Sequence, residues 1–120
     1  MREVKFKAFI KQLKWLVPVT DIYFRHEVIE CDLTGNGDTS VFTYEEVELM
    51  QYTGLKDKNG VEIYEGDIIL SYNEFGEGFE QLSVVEYDVS TGQLKGIDIK
   101  YIAYEEVIGN IYKNPVLIKR

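Results

Sequence analysis

Histidine and cysteine are the side chains through which a small domain most readily performs nucleophilic or acid–base chemistry, and this chain has one of each, His26 and Cys31. A nucleophile needs a neighbouring base, and the base needs a third group to orient it. The two residues are five positions apart, and on a strand an odd separation sends side chains to opposite faces. They form no local dyad. His26 reads as a surface or edge histidine, and Cys31 as a small, semi-buried residue rather than a thiolate.

The carboxylates are the next candidates. Asp32-x-Thr34-x-Asn36-Gly37 resembles the opening of a calcium loop, but the twelfth position, where a bidentate Glu belongs, is Thr43. The segment reads instead as a polar hairpin turn. Glu45-Glu46 and Glu105-Glu106 are paired in sequence, yet adjacent residues do not face each other on a strand or a helix. A single cysteine excludes a four-thiolate zinc site and an intramolecular disulfide. A phosphate-cradling Gly loop ending in Lys-Ser/Thr is absent from the sequence. No catalytic residue, metal ligand or cofactor is expected, and the chain reads as non-enzymatic.

Whatever residues act must be positioned by strands. Val4, Phe6, Ala8 and Ile10 alternate with other residues at period two, the pattern of a half-buried strand. Further strands are expected at Ile22–Phe24, Val28–Cys31, Leu49–Tyr52, Val61–Tyr64, Ile68–Tyr72, Leu82–Val89, Leu94–Ile99 and Val107–Tyr112. Pro18 argues against a central strand at its own position. Thr34-Gly35-Asn36-Gly37, Asp57-Lys58-Asn59-Gly60, Glu65-Gly66-Asp67 and Ser90-Thr91-Gly92 are turn chemistry. Asn73–Glu80, Gly-rich and acidic, reads as a loop. Helical signals are confined to Thr43–Met50, where Thr43 and Glu46 make a capping box, and to Tyr101–Val107. The expected fold is mostly β, a barrel-like or sandwich arrangement of short antiparallel strands with at most one or two short helices, in a single domain spanning 1–120.

Charge narrows the partners. The 21 acidic and 13 basic residues give a net charge of −8. Arg2, Lys5, Lys7, Lys11 and Lys14 make the first segment basic, whereas no Lys or Arg occurs between Asn59 and Leu94. Duplex affinity comes largely from neutralising phosphates, so the acidic stretch, with Glu74, Glu77 and Glu80, opposes nucleic-acid binding over most of the surface. One cysteine, no apolar leader after Met1 and no run of roughly 20 apolar residues point to the cytoplasm and away from the membrane.

The run from Met50 to Ile69, containing Tyr52-Thr53-Gly54-Leu55-Lys56-Asp57 and Ile63-Tyr64-Glu65-Gly66-Asp67-Ile68-Ile69, resembles the signature of the YopX family, small proteins of phages and prophages. The opening Arg2-Glu3-Val4-Lys5-Phe6-Lys7-Ala8-Phe9 and the closing Val107-Ile108-Gly109-Asn110-Ile111-Tyr112-Lys113-Asn114-Pro115 are similar to the two ends of that family. Leu13–Val47 and Asn73–Tyr101 carry no such likeness. The resemblance implies a β-rich fold with a barrel-like core, expressed in a bacterial host cell from a phage genome; it implies no activity. The central run is explained structurally by a double hairpin. The competing reading makes Gln51, Tyr52, Lys56, Asp57, Tyr64 and Asp67 a binding surface around its turns. Nine Tyr residues favour protein contacts, so the expected role is a binding module for a host or phage protein, with self-association into a homo-oligomer as a further expectation. The alternative is a nucleic-acid-binding β-barrel using the basic first segment.

Overall fold

The computed structural model of the chain describes residues 3–73 and 78–118. Arg2, Glu74, Glu77 and the Glu80 side chain lie outside the described residues, as do residues 74–77 of the expected Asn73–Glu80 loop, whose last residues, 78–80, are strand instead, the start of the strand Gly78–Val84. The chain forms eleven described strands, all paired antiparallel, with three short 3-10 segments at Tyr44–Glu46, Ile99–Tyr104 and Pro115–Leu117. The fold is mostly β, as its alternating sequence dictates, and among the described residues no sheet closes into a barrel. Among the described residues no helix is long and apolar enough to cross a membrane. The strands divide into two compact units, residues 3–51 and 52–118.

The first unit holds β1 (Phe6–Ile10), β2 (Trp15–Tyr23), β3 (Val28–Asp32), β4 (Thr39–Thr43) and the first half of β5 (Val47–Lys56). Their order is β4-β3-β2-β1-β5. Inward positions Ala8, Ile10, Val17, Ile29, Cys31 and Val47 form one buried cluster, with Val19, Phe42 and Leu49 packed against it. Burying each large aliphatic among them contributes about 2 kcal/mol before entropy is subtracted. β1 is a central strand, and Phe9 on its other face is buried too, so the strand is more deeply covered than a half-buried pattern implies.

Pro18 stands inside β2, opposite Lys7 of β1, against the expectation drawn from its missing N–H. The pairing with β3 explains it. That ladder begins at Val19 opposite Cys31, so Pro18 has a strand neighbour on one side only. The expected helix at Thr43–Met50 is also corrected. The Thr43 N–H donates to Glu46 Oε1 at 2.8 Å, but the turn ends at Glu46 and Val47 onward joins β1 in register, Val47 opposite Ile10.

The second unit holds the rest of β5, β6 (Glu62–Tyr64), β7 (Asp67–Tyr72), β8 (Gly78–Val84), β9 (Glu86–Tyr87), β10 (Leu94–Lys95) and β11 (Glu105–Asn110). β11, β7 and β8 make a three-stranded sheet with β7 in the centre. β5 and β6 form a hairpin, Tyr52 opposite Tyr64 and Lys56 opposite Glu62. Ile63, Ile69 and Val85 form the core, with Leu55, Leu94, Ile97, Ile102 and Val107 around it. Gly96 has φ +86°, and a Cβ there would stand 2.1 Å from the Val84 carbonyl oxygen; no other residue fits. The second expected helix, Tyr101–Val107, is a 3-10 segment that ends at Tyr104, and Glu105 opens β11.

Cys31 is fully buried in the first core, and burial pushes its thiol pKa up to about 11, with the Glu30 charge adding to the shift. The thiolate is the reactive form. Cys31 is therefore expected to stay unmodified by iodoacetamide at pH 8 in the folded chain and to react fully in urea, read as a mass shift. Rapid labelling without denaturant would mean that β3 opens.

Candidate functional site

The sequence Asp57-Lys58-Asn59-Gly60 folds back on itself around one carboxylate. Asp57 Oδ1 accepts from the Asn59 N–H at 2.8 Å and the Val61 N–H at 2.9 Å. Gly60 takes φ +80°, and the Asp57 N–H closes the turn on the Val61 carbonyl at 2.8 Å. The other oxygen, Oδ2, accepts from the Val107 N–H at 2.9 Å, fifty residues away on β11. The Lys58 N–H adds a second link to that strand through the Glu105 carbonyl, 2.9 Å. Asp57 is buried and fully occupied by backbone.

Asp67 repeats the device. Its Oδ2 accepts from the Tyr64 N–H at 2.8 Å, and Oδ1 accepts from Asn110 Nδ2 at 3.3 Å. Asn110 Oδ1 in turn accepts from the Tyr112 N–H, and the Asn110 N–H donates to Asn114 Oδ1. The turn at Glu65-Gly66 is not a second hairpin, because β6 pairs with β5 and β7 pairs with β11 and β8. It is a corner at which the chain leaves one ladder for another, and the expected double hairpin is one hairpin followed by that corner.

The six residues nominated from sequence thus divide by burial. Tyr52, Asp57, Tyr64 and Asp67 are buried, Gln51 is half-buried and Lys56 is exposed. Tyr52 and Tyr64 stack with ring centroids 5.3 Å apart. Thr53, between them and the turn, donates its hydroxyl to the Ile63 carbonyl at 2.7 Å and accepts the Leu55 N–H.

Polar chemistry that sequence reasoning passed over surrounds the hairpin tip. Glu106 accepts from Asn59 Nδ2 at 3.0 Å and from the Tyr72 hydroxyl at 2.5 Å, and Lys58 Nζ sits 4.1 Å from the Tyr72 ring centre. The Glu106 bond, then desolvation, raises the Tyr72 pKa. Glu105, its neighbour on β11, points the other way and is buried. Its Oε1 accepts the Asp98 N–H at 3.2 Å, and its Oε2 has no hydrogen-bond partner among the described residues. Burial raises its pKa, the Asp98 charge adds to the shift, and the Asp98 N–H opposes it. The strand alternation of Glu105-Glu106 was the available signal.

His26 lies in the exposed turn between β2 and β3. The Asp32 turn matches its plain reading: Asp32 Oδ1 accepts from the Thr34 and Gly35 N–H groups and Oδ2 from that of Gly37. Among the described residues no group of three or more His, Cys, Asp or Glu side chains is placed to hold a metal ion. A shallow cleft of about 260 Å³ in the first unit is lined by Ile10, Leu13 and Phe42 with Lys11, Glu45 and Glu46. Lys11 is engaged there by Glu48 at 3.4 Å and the Glu45 carbonyl at 2.9 Å.

Among the described residues of the second unit, large apolar side chains are exposed singly at Val61 and Val89 and in two short segments, Ile99, Tyr101 and Tyr104 and then Val116, Leu117 and Ile118; the first of these segments carries the tyrosines. The Asp98 carboxylate caps its start through the Lys100 N–H, and Ile102 packs into the core.

Comparison with known proteins gives two findings. The family model described as YopX protein matches residues 5–119. The crystal structure of protein EF1440 from Enterococcus faecalis is similar along the whole chain, with a TM-score of 0.70 and 26% identity over 99% of this chain and 100% of that one. No curated protein matches.

Asp57→Ala leaves three N–H groups without their acceptor and is expected to cost about 3 kcal/mol in urea denaturation. Asp57→Asn is expected to recover only part, since its NH2 must face a donor. For Glu105, a raised folded-state pKa means that the folded chain holds the proton more tightly than the unfolded one. Stability is then lost as pH rises from the ordinary glutamate value of 4.5 through the folded pKa. Glu105→Gln is expected to raise Tm at neutral pH and to match the wild type below that window; equal Tm values at both pH values would contradict a buried, strained carboxylate.

Proposed function

The chain belongs to the YopX protein family, and we propose that it is a non-enzymatic binding module that engages a host or phage protein in the cytoplasm of a bacterial cell. The observation that carries this reading is the segment Ile99, Tyr101 and Tyr104, which are 63%, 50% and 39% exposed. Tyr is enriched at the energetic centres of protein interfaces, because its ring buries a large area and its hydroxyl finds a partner. The segment is preorganised, with Asp98 capping its start and Ile102 anchored in the core. Little ordering entropy is then lost on binding. The buried carboxylates of the hairpin and corner are occupied internally and act as scaffold. The reading calls for no metal or cofactor.

The alternative, nucleic-acid binding through the basic first segment, has less support. Lys5 is paired with Glu3 at 3.2 Å, Lys11 is held by Glu48, and Lys7 belongs to the central strand β1. The net charge of −8 opposes the same partner.

The test is affinity purification of the tagged chain from a bacterial host, with and without nuclease, beside the Tyr101→Ala/Tyr104→Ala double variant. A protein recovered in stoichiometric amount after nuclease is expected with the wild type, reduced at least tenfold with the variant at unchanged circular dichroism. Undiminished recovery with the variant would sink this surface. Material lost on nuclease treatment would favour the alternative.

A further inference from the structure

β4 is the edge of the first unit's sheet, and among the described residues it has no charge, proline or bulge to blunt that edge. Between Asp38 and Glu45 the chain reads Thr39-Ser40-Val41-Phe42-Thr43-Tyr44, with no charge, no proline and no glycine. Its pairing with β3 runs without a bulge, from Val28 opposite Thr43 to Asp32 opposite Thr39. Lysines, prolines, bulges or a covering loop are the usual protections against pairing with another chain.

The ladder fixes which backbone groups face outward. The Leu33 N–H donates to the Asp38 carbonyl at 3.3 Å, so residues 33 and 38 are a hydrogen-bonded pair. Alternation then assigns Ser40 and Phe42 to the bonds with β3 and turns the N–H and C=O groups of Thr39, Val41 and Thr43 away from it. The Thr43 N–H agrees, since it donates to Glu46 Oε1 rather than into the ladder. The outward N–H groups of Thr39 and Val41 make no hydrogen bond among the described residues. Val41 is 56% exposed.

We propose that the β4 edge pairs with β4 of a second copy of this chain, antiparallel about a two-fold axis through Val41. That register is self-complementary. Val41 exchanges two N–H···O=C bonds with its own copy, and each Thr39 N–H donates to the Thr43 carbonyl of the other chain. Every free outward N–H finds an acceptor, and the ladder stops where Glu46 has already taken the Thr43 N–H. On the outer face Val41 meets Val41 and Thr39 meets Thr43, β-branched pairs that stabilise a sheet. No like charges stand opposite each other. The Glu30 side chains, one strand in on each copy, are about 14 Å apart at three inter-strand steps, beyond a screening length of about 8 Å at physiological salt. The edge belongs to the first unit and the tyrosine segment to the second; the two proposals rest on different residues, so either can fail without the other.

Sedimentation equilibrium of the full chain tests the proposal, together with Val41→Lys, Val41→Glu and an equimolar mixture of the two. The wild type is expected at twice its 13.9 kDa mass. Each variant alone is expected as a monomer, because like charges then lie directly opposite, and the mixture is expected to regain the doubled mass. A merely structural role for Val41 would not be rescued by mixing. A monomeric wild type at hundreds of micromolar, or a Val41→Lys variant that keeps the doubled mass, would overturn the proposal. Should either charged variant fail to fold, Val41→Cys gives the answer. A hydrogen-bonded pair with Cα atoms about 5.5 Å apart lies within disulfide range. Oxidation is expected to give a covalent dimer, and a folded variant that stays uncrosslinked would equally overturn it.

Discussion

The second unit depends on the carboxylate of Asp57. A buried charge is tolerated only where hydrogen bonds replace its hydration, and the two oxygens of Asp57 receive three backbone N–H groups, two from its own turn and one from β11. The turn and the strand must therefore be in place together. Without Val107 the carboxylate loses a partner, and without the carboxylate the hairpin tip loses its frame. Asp67 imposes the same condition on the next corner, through the Tyr64 N–H and the Asn110 amide. Residues 57 to 67 and 107 to 114 are thereby fastened across the sequence by two acids and their acceptor geometry. β7 then follows directly from the second corner and pairs with β11 on one side and β8 on the other.

Glu105 shows what the same neighbourhood costs when satisfaction is incomplete. It lies two residues before Val107 on β11, is as buried as Asp57, and has one oxygen bonded to the Asp98 N–H and one with no partner among the described residues. Burial accordingly raises its pKa. The contrast is between a carboxylate whose charge the fold uses and one whose charge the fold tolerates.

Much of the fold was legible because it is written locally. Period-two alternation marks β1, and the turns at Thr34-Gly35-Asn36-Gly37, Asn59-Gly60 and Ser90-Thr91-Gly92 are recognisable from residue type alone. Misreadings arose where a distant partner decides the outcome. The Thr43–Glu46 box is a genuine helix start, but Val47–Gln51 pairs with β1, forty residues earlier, and tertiary pairing overrides local propensity. β4, with only Val41 and Phe42 apolar, lacked a strong pattern and is defined by its register with β3. Pro18 is admitted by the place at which the β3 ladder starts. Asp57 and Asp67 read as turn residues or as part of a binding surface; acids are almost never buried unless paired, and their distant partners on β11, Val107 and Asn110, cannot be inferred from neighbouring residues.

That division bears on where recognition can reside. The most recognisable run of the sequence places Tyr52, Thr53, Asp57, Tyr64 and Asp67 inside, so it specifies shape and leaves few of its groups available to a partner. EF1440 reaches a TM-score of 0.70 at 26% identity, so one architecture accommodates largely different sequences. The sheet edge at β4 and the exposed Ile99–Tyr104 segment begin in the stretches outside that run. The residues that hold the fold are thus largely separate from the exposed ones, and likeness of fold does not by itself carry likeness of function with it.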